Sequence, residues 1–154
     1  MSRAFVREQD IDSVEALPDR AVSEHPNFVT EVGLARIDAA IAEARTAHGL
    51  AQAASDRASM ASAARELRYW SARRATAQVV AGSNDVSKVR FGATVTITRG
   101  DGREQTFQIV GEDEADPDQG SVSHVSPLAR ALLGKSIGDF VRAGNGDAEI
   151  ITIA

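Results

Sequence analysis

The apolar positions of this chain change period along its length. Leu34, Ile37, Ile41 and Ala44 are spaced three, four and three apart. That is the narrow apolar seam of a helix facing another helix. A second seam runs through Met60, Ala63, Leu67, Trp70, Arg74 and Ala77. Thr30 is a good N-terminal cap for the first helix, and Glu31 suits its first turn. Residues 30–80 hold no proline, and their glycines are Gly33 and Gly49. The turn is expected at His48-Gly49-Leu50, although the helix could continue a few residues further. Two amphipathic helices joined by a short loop pack antiparallel, with alanines letting the backbones approach. Trp70 reads as hairpin core or as a prop.

Beyond the breaker-rich stretch Ala81-Gly82-Ser83-Asn84-Asp85, a linker at 81–85, the period drops to two. Val89, Phe91, Ala93, Val95 and Ile97 alternate with Arg90, Gly92, Thr94, Thr96 and Thr98. This predicts a strand with one buried face. Asp101-Gly102 predicts a tight hairpin turn, with Phe107 and Ile109 on the return strand. Ser126-Pro127 starts a short helix, serine as cap and proline at the first helical position, and Gly134 ends it. Phe140-Val141 and residues 149–153 are the final strands. Residues 86–154 thus read as an antiparallel β-sheet with a short helix, and the whole chain as α+β. Residues 1–29 carry mixed charge, Pro18 and Pro26 without a sustained period, and read as a flexible or loosely docked arm.

Composition narrows the function classes. Of 154 residues none is cysteine and three are histidine. Disulfide scaffolds, thiolate metal sites and cysteine nucleophiles are excluded. No apolar stretch approaches the ~20 residues that span a bilayer. The N-terminus has no secretory apolar core. The expectation is a cytoplasmic protein with no membrane partner. The net charge of −5 disfavours autonomous duplex binding. It is unevenly placed, −1 over residues 1–83 and −4 over 84–154. The second helix runs the other way: Arg57, Arg65, Arg68, Arg73 and Arg74 face one acid, Glu66. Such a face suits an acidic partner, nascent RNA among them, or simply water.

No catalytic constellation emerges. His124 near Ser121, Ser123 and Ser126 is sequence neighbourhood, not a triad. The acidic run Glu112-Asp113-Glu114-Ala115-Asp116-Pro117-Asp118 lacks the ligand order of a calcium loop. No cofactor and no metal site of its own is expected, which favours a binding or regulatory module over an enzyme.

Three motifs carry a family resemblance. Phe91-Gly92-Ala93-Thr94-Val95, then Ile109-Val110-Gly111-Glu112-Asp113-Glu114-Ala115-Asp116, then Ser126-Pro127-Leu128-Ala129-Arg130-Ala131-Leu132-Leu133-Gly134-Lys135 resemble the C-terminal domain of the GreA/GreB transcription elongation factors. The resemblance implies an FKBP-like domain docked on the rim of the RNA polymerase secondary channel, a coiled-coil hairpin entering that channel, and a monomer. Ser126, Pro127 and Arg130 match the polymerase-facing motif, with Asp113, Glu114 and Asp116 as an acidic rim. In cleaving members, acidic residues at the hairpin tip help hold a second magnesium ion in the polymerase site. That ion would belong to the polymerase.

The tip departs from the family pattern. His48, Gly49, Leu50, Gln52 and Asp56 mark it here, and Gln52 and Ala54 stand where acids are expected. Each arm also looks shorter by ~10 residues, about 15 Å of reach. The expectation is a polymerase-binding regulator of elongation that stimulates cleavage poorly or not at all. The alternative within the class is a non-cleaving competitor of Gre factors, similar to the regulator of nucleoside diphosphate kinase. From another class comes peptidyl-prolyl isomerase activity, for which Phe91, Phe107 and Phe140 are the available aromatics.

Overall fold

A computed structural model describes residues 17–154. The arm expected over 1–29 therefore lies partly outside the described residues. The described residues divide into two units. One holds residues 17–22 and Asp38–Arg74; the other holds Ser23–Ile37 and Ala75–Ala154. The divisions fall at 37/38 and 74/75 rather than at the linker read from the sequence.

The first unit is the hairpin. Helix α1 (Glu31–Ala53) ends well past the predicted turn, and helix α2 (Arg57–Thr76) follows after three residues. His48, Gly49 and Leu50 are therefore helical, and the turn is Ala54-Ser55-Asp56. Gly49 misled the reading: an exposed helical glycine costs only about 1 kcal/mol against alanine. The turn instead uses Ser55 at φ 53° and Asp56 as cap. The Asp56 carboxylate accepts the Ser59 N–H at 3.1 Å and the Ser59 hydroxyl at 2.6 Å. Ala44, Ala51 and Ala63 are buried. The small side chains still leave a groove of about 370 Å³, lined among others by Ala40, Ala44, Ala47, Ser62, Ala63 and Trp70.

Residues 17–22 contact α2. Asp19 pairs with Arg68 at 2.6 Å, and Arg20 with Glu66 at 2.7 Å. The Arg20 guanidinium also lies 3.7 Å from the centroid of the Tyr69 ring, a cation–π contact.

The second unit is built on a five-stranded sheet. Its strands are β3 (Thr94–Arg99), β4 (Glu104–Val110), β5 (Ser121–Ser123), β6 (Phe140–Ala143) and β7 (Gly146–Ile153), in the order β5-β4-β3-β7-β6. The alternation of β3 sends Val95 and Ile97 into the core, while Thr96 meets Thr106 across the strand pair at 2.9 Å. The sheet is mixed rather than antiparallel, because the three-residue β5 pairs parallel with β4. A register shift between Thr96 and Ile97 along β7 explains why Ile150 and Ile153, three apart, are both buried. Helix α3 (Pro127–Leu132) closes the core with Ala129 and Leu132.

Two further strands were not read from the sequence. β1 (Phe28–Val29) and β2 (Gln78–Val79) form a parallel pair. Asn27 supports it, accepting from the Gln78 N–H at 2.8 Å and donating its amide to Thr76 at 3.2 Å. The chain flanking the hairpin thus belongs to the sheet unit on both sides. Residues 81–85 carry neither helix nor strand.

Candidate functional site

The exposed corner of the sheet unit is set by β5 and α3. After Ser123 the chain turns through His124 and Val125, the Ser126 N–H donating to the Ser123 carbonyl at 2.9 Å. Ser126 then caps α3, its hydroxyl accepting the Ala129 N–H at 3.2 Å. Pro127 sits at the first helical turn and is exposed. Arg130, in the last turn, is exposed and has no ion-pair partner among the described residues. A fixed proline and a free guanidinium on one short helix suit contact with a protein surface carrying carboxylates.

The acidic loop is not one rim. Asp116 is exposed, and Asp113 is half-buried. Glu112 accepts the Ser23 hydroxyl at 2.9 Å. Glu114 points inward and is 7% exposed. Its carboxylate accepts the Thr30 N–H at 3.0 Å, the Gly111 N–H at 3.1 Å and the Thr30 hydroxyl. The Thr30 oxygen in turn accepts the Gly33 N–H at 3.0 Å. Thr30 does cap α1, as read from the sequence, and Glu114 adds a second, buried cap from the loop. The arrangement satisfies orphan donors and sets a negative charge at the positive end of the helix dipole. It admits no side chain at two glycines. A Cβ on Gly33 would lie 2.2 Å from Glu114 Cδ, and one on Gly111 would lie 2.5 Å from the Phe28 carbonyl oxygen. Glu114 is thus removed from the candidate docking surface, its charge spent inside the unit. No local pattern shows this, because its Thr30 partner is 84 residues away; a glycine in the first turn of a helix was the available hint.

The predicted basic face of α2 is also altered. Arg68 and Arg74 are each paired, Arg74 with Asp38 at 2.7 Å. Arg73 is 1% exposed, so it is a buried residue rather than a surface one. Arg65 is half-buried, and Arg57 is exposed. At the tip, Gln52 and Asp56 are exposed, but Asp56 is engaged as a cap. Its carboxyl is held below the usual carboxylate value, first by the Ser59 hydroxyl and then by the Ser59 N–H. Ala53 and Ala54 offer no side-chain oxygen beside it. Among the described residues no group of three His, Asp or Glu is placed to hold a metal. None of the described helices is long and apolar enough to cross a membrane.

The aromatics do not gather into one pocket. Phe91 and Phe28 pack edge-on around the buried His124, with centroids 5.6 and 5.4 Å from it. Phe107 lies against the sheet core, and Phe140 stands 69% exposed on the edge strand.

Comparison with known proteins bears on the sheet unit above all. Residues 83–154 match the family described as transcription elongation factor, GreA/GreB, C-terminal. Transcription elongation factor GreA of Hyphomonas neptunium is 67% identical over 54 residues, 34% of each chain. GreA of Alkalilimnicola ehrlichii is 55% identical over 78 residues, 47% of this chain and 49% of that protein. The chain spans half or less of the length of these relatives. A solved GreA/GreB factor from Nitrosomonas europaea covers 83% of this chain and 98% of its own, at 18% identity and a TM-score of 0.42, too loose a superposition to carry weight.

Proposed function

With residues 83–154 a C-terminal domain of the GreA/GreB family, we propose that this protein is an RNA polymerase-binding regulator of transcription elongation. It is not itself an enzyme. It acts at the rim of the polymerase secondary channel, docking through Ser126, Pro127 and Arg130, with Asp113 and Asp116 beside them. The observation that carries this reading is the 67% identity to a GreA factor, taken with the free Arg130 on the capped helix α3.

The hairpin supplies no cleavage chemistry in this reading. Two-metal hydrolysis needs carboxylate oxygens free to bind the incoming ion. The turn Ala54-Ser55-Asp56 supports the non-cleaving form, since its single carboxylate already accepts two bonds from Ser59. The protein therefore occupies the channel entrance and competes with cleaving Gre factors.

The test uses purified protein and backtracked elongation complexes, with and without a cleaving Gre factor. The expected result is co-migration with polymerase, no transcript shortening by the protein alone, and slower shortening by the Gre factor. Transcript shortening by the protein alone rejects the competitor reading. Failure to bind polymerase rejects the whole proposal. Arg130→Glu and Pro127→Ala should each weaken polymerase binding without lowering the melting temperature.

A further inference from the structure

We propose that the outer edge of β6 is a self-recognition surface, and that its occupant is β6 of a second copy of this chain, paired antiparallel about a two-fold axis at Val141. Three observations point there. The first is an open edge. β6 (Phe140–Ala143) ends the five-stranded order and has β7 on one side only. Ala143 and Gly146 flank a two-residue turn and close the hairpin as a hydrogen-bonded pair, which makes Val141 with Ala148 the next one. Phe140 and Arg142 fall between these pairs, so their N–H and C=O groups point away from β7. Among the described residues no hydrogen bond takes up these four groups. Native edge strands are blunted by proline, lysine or a bulge. Phe140-Val141-Arg142-Ala143 has none of the three, and its register against β7 is unbroken.

The second is what the edge displays. Val141 and Ala143 face the core, while Phe140 and Arg142 face solvent. Phe140 is 69% exposed, and Ile137, three residues earlier, is 57% exposed. Two large apolar side chains so exposed within four residues exceed the scattered apolar residue that any surface carries. Arg142 is held only loosely, 3.8 Å from Asp147, with both side chains mostly exposed.

The third is self-complementarity. In an antiparallel pair, residues that stand opposite each other face the same side of the sheet. With the axis at Val141, Phe140 stands opposite the second copy's Arg142, and Arg142 opposite that copy's Phe140. All four outward groups of each edge then pair, giving four backbone hydrogen bonds. Each guanidinium meets an aromatic ring across the joint, a cation–π pairing. Glu149 neighbours Phe140 on β7, so each guanidinium also approaches a carboxylate beyond the ring. Centring the axis on Phe140 instead leaves each Arg142 opposite Gly138, with no partner for its charge.

A four-residue edge with one aromatic buries far less than the ~1,200 Å² of a standard interface. The dimer is therefore weak and reversible. β6 and β5 are opposite edges of the sheet. The inference thus leaves the corner at β5 and α3 untouched and stands apart from the polymerase reading.

The test reads the full chain by sedimentation equilibrium from about 10 μM to about 1 mM. The expected result is a mass that rises from one chain toward two. Amide hydrogen exchange by NMR on the same samples locates the contact. Exchange at Phe140 and Arg142 should slow with concentration, while Val141 and Ala143, already bonded to β7, should not change. Phe140→Lys sets like charges opposite each other, and Arg142→Glu removes the cation. Each should lower the dimer affinity by ~10-fold, since two symmetric contacts are lost. Both side chains are exposed, so far-ultraviolet circular dichroism should stay unchanged. Mixing the two variants should restore dimerisation, because the new lysine of one faces the new glutamate of the other. A mass fixed at one chain up to ~1 mM overturns the proposal and leaves the edge to an extended segment of a different protein. A dimer in which Phe140 and Arg142 exchange as fast as in the monomer, or one that both variants leave intact, also overturns it. Variants that weaken the dimer singly but fail to restore it when mixed overturn the register at Val141.

Discussion

Replacing Gly33 by alanine should destabilise the protein, although alanine is the better helix former. The helical preference favours Gly33→Ala by up to ~1 kcal/mol. Against it stands the added Cβ, 2.2 Å from Glu114 Cδ and 2.3 Å from Oε2. The carboxylate must leave. The buried N–H groups of Thr30 and Gly111 then lose their acceptor, at ~1–3 kcal/mol each before water compensates. The net cost is about 1–3 kcal/mol. For a unit of this size that lowers the melting temperature by roughly 10 °C. The decisive comparison is a double-mutant cycle read by calorimetry. In a Glu114→Ala background, itself destabilised by about 2–4 kcal/mol, the clash is gone and only the helical preference remains. Gly33→Ala should there be neutral or stabilising, giving a coupling of ~2–3 kcal/mol. Equal costs in the two backgrounds would refute the reasoning, because the glycine would then serve something other than the carboxylate.

Other outcomes follow from single features. Ser126→Ala removes the α3 cap and should cost ~1 kcal/mol in urea unfolding, whereas Ser126→Asp should recover most of it. Ile97→Ala, at the fully buried centre of the sheet, should cost ~2–5 kcal/mol by the same measure. The Asp85 carboxyl is held down to about 2, first by the Ser87 hydroxyl, then by the Ser87 N–H and Arg90. A depressed carboxyl stabilises the fold above its unfolded value, near 4, and that support is lost as pH falls toward 2. Its side-chain carbon should therefore titrate near 2 by NMR, and Asp85→Asn should flatten this part of the acid limb. A midpoint near 4 would contradict the bonded geometry.

Much of the sheet unit was legible because its code is local. Alternation at Val95 and Ile97, Asp101-Gly102 at the turn and Ser126-Pro127 at the helix start each act within a few residues. What was misplaced depended on distance or tolerance. Gly49 looked like a turn, but a solvent-facing helix absorbs one glycine, and Asp56 with Ser59 offered the better stop. The two-residue strands β1 and β2 are too short for a period and exist only because they meet each other. Of the candidate site, Ser126 and Pro127 were readable from capping chemistry. Glu114 was not, since a carboxylate in an acidic run looks solvated until its partner, Thr30, is known. Arg73 likewise carried no sign of burial in a run of five arginines.

The pairing of β1 with β2 makes the hairpin an insertion, spliced into the sheet unit between two strands fixed side by side. Its two ends leave and return at one place, so the helices close their own loop before the sheet is complete. Length and tip chemistry are then free variables: a rod of another length could be grafted between the same two strands without disturbing the register of any sheet residue.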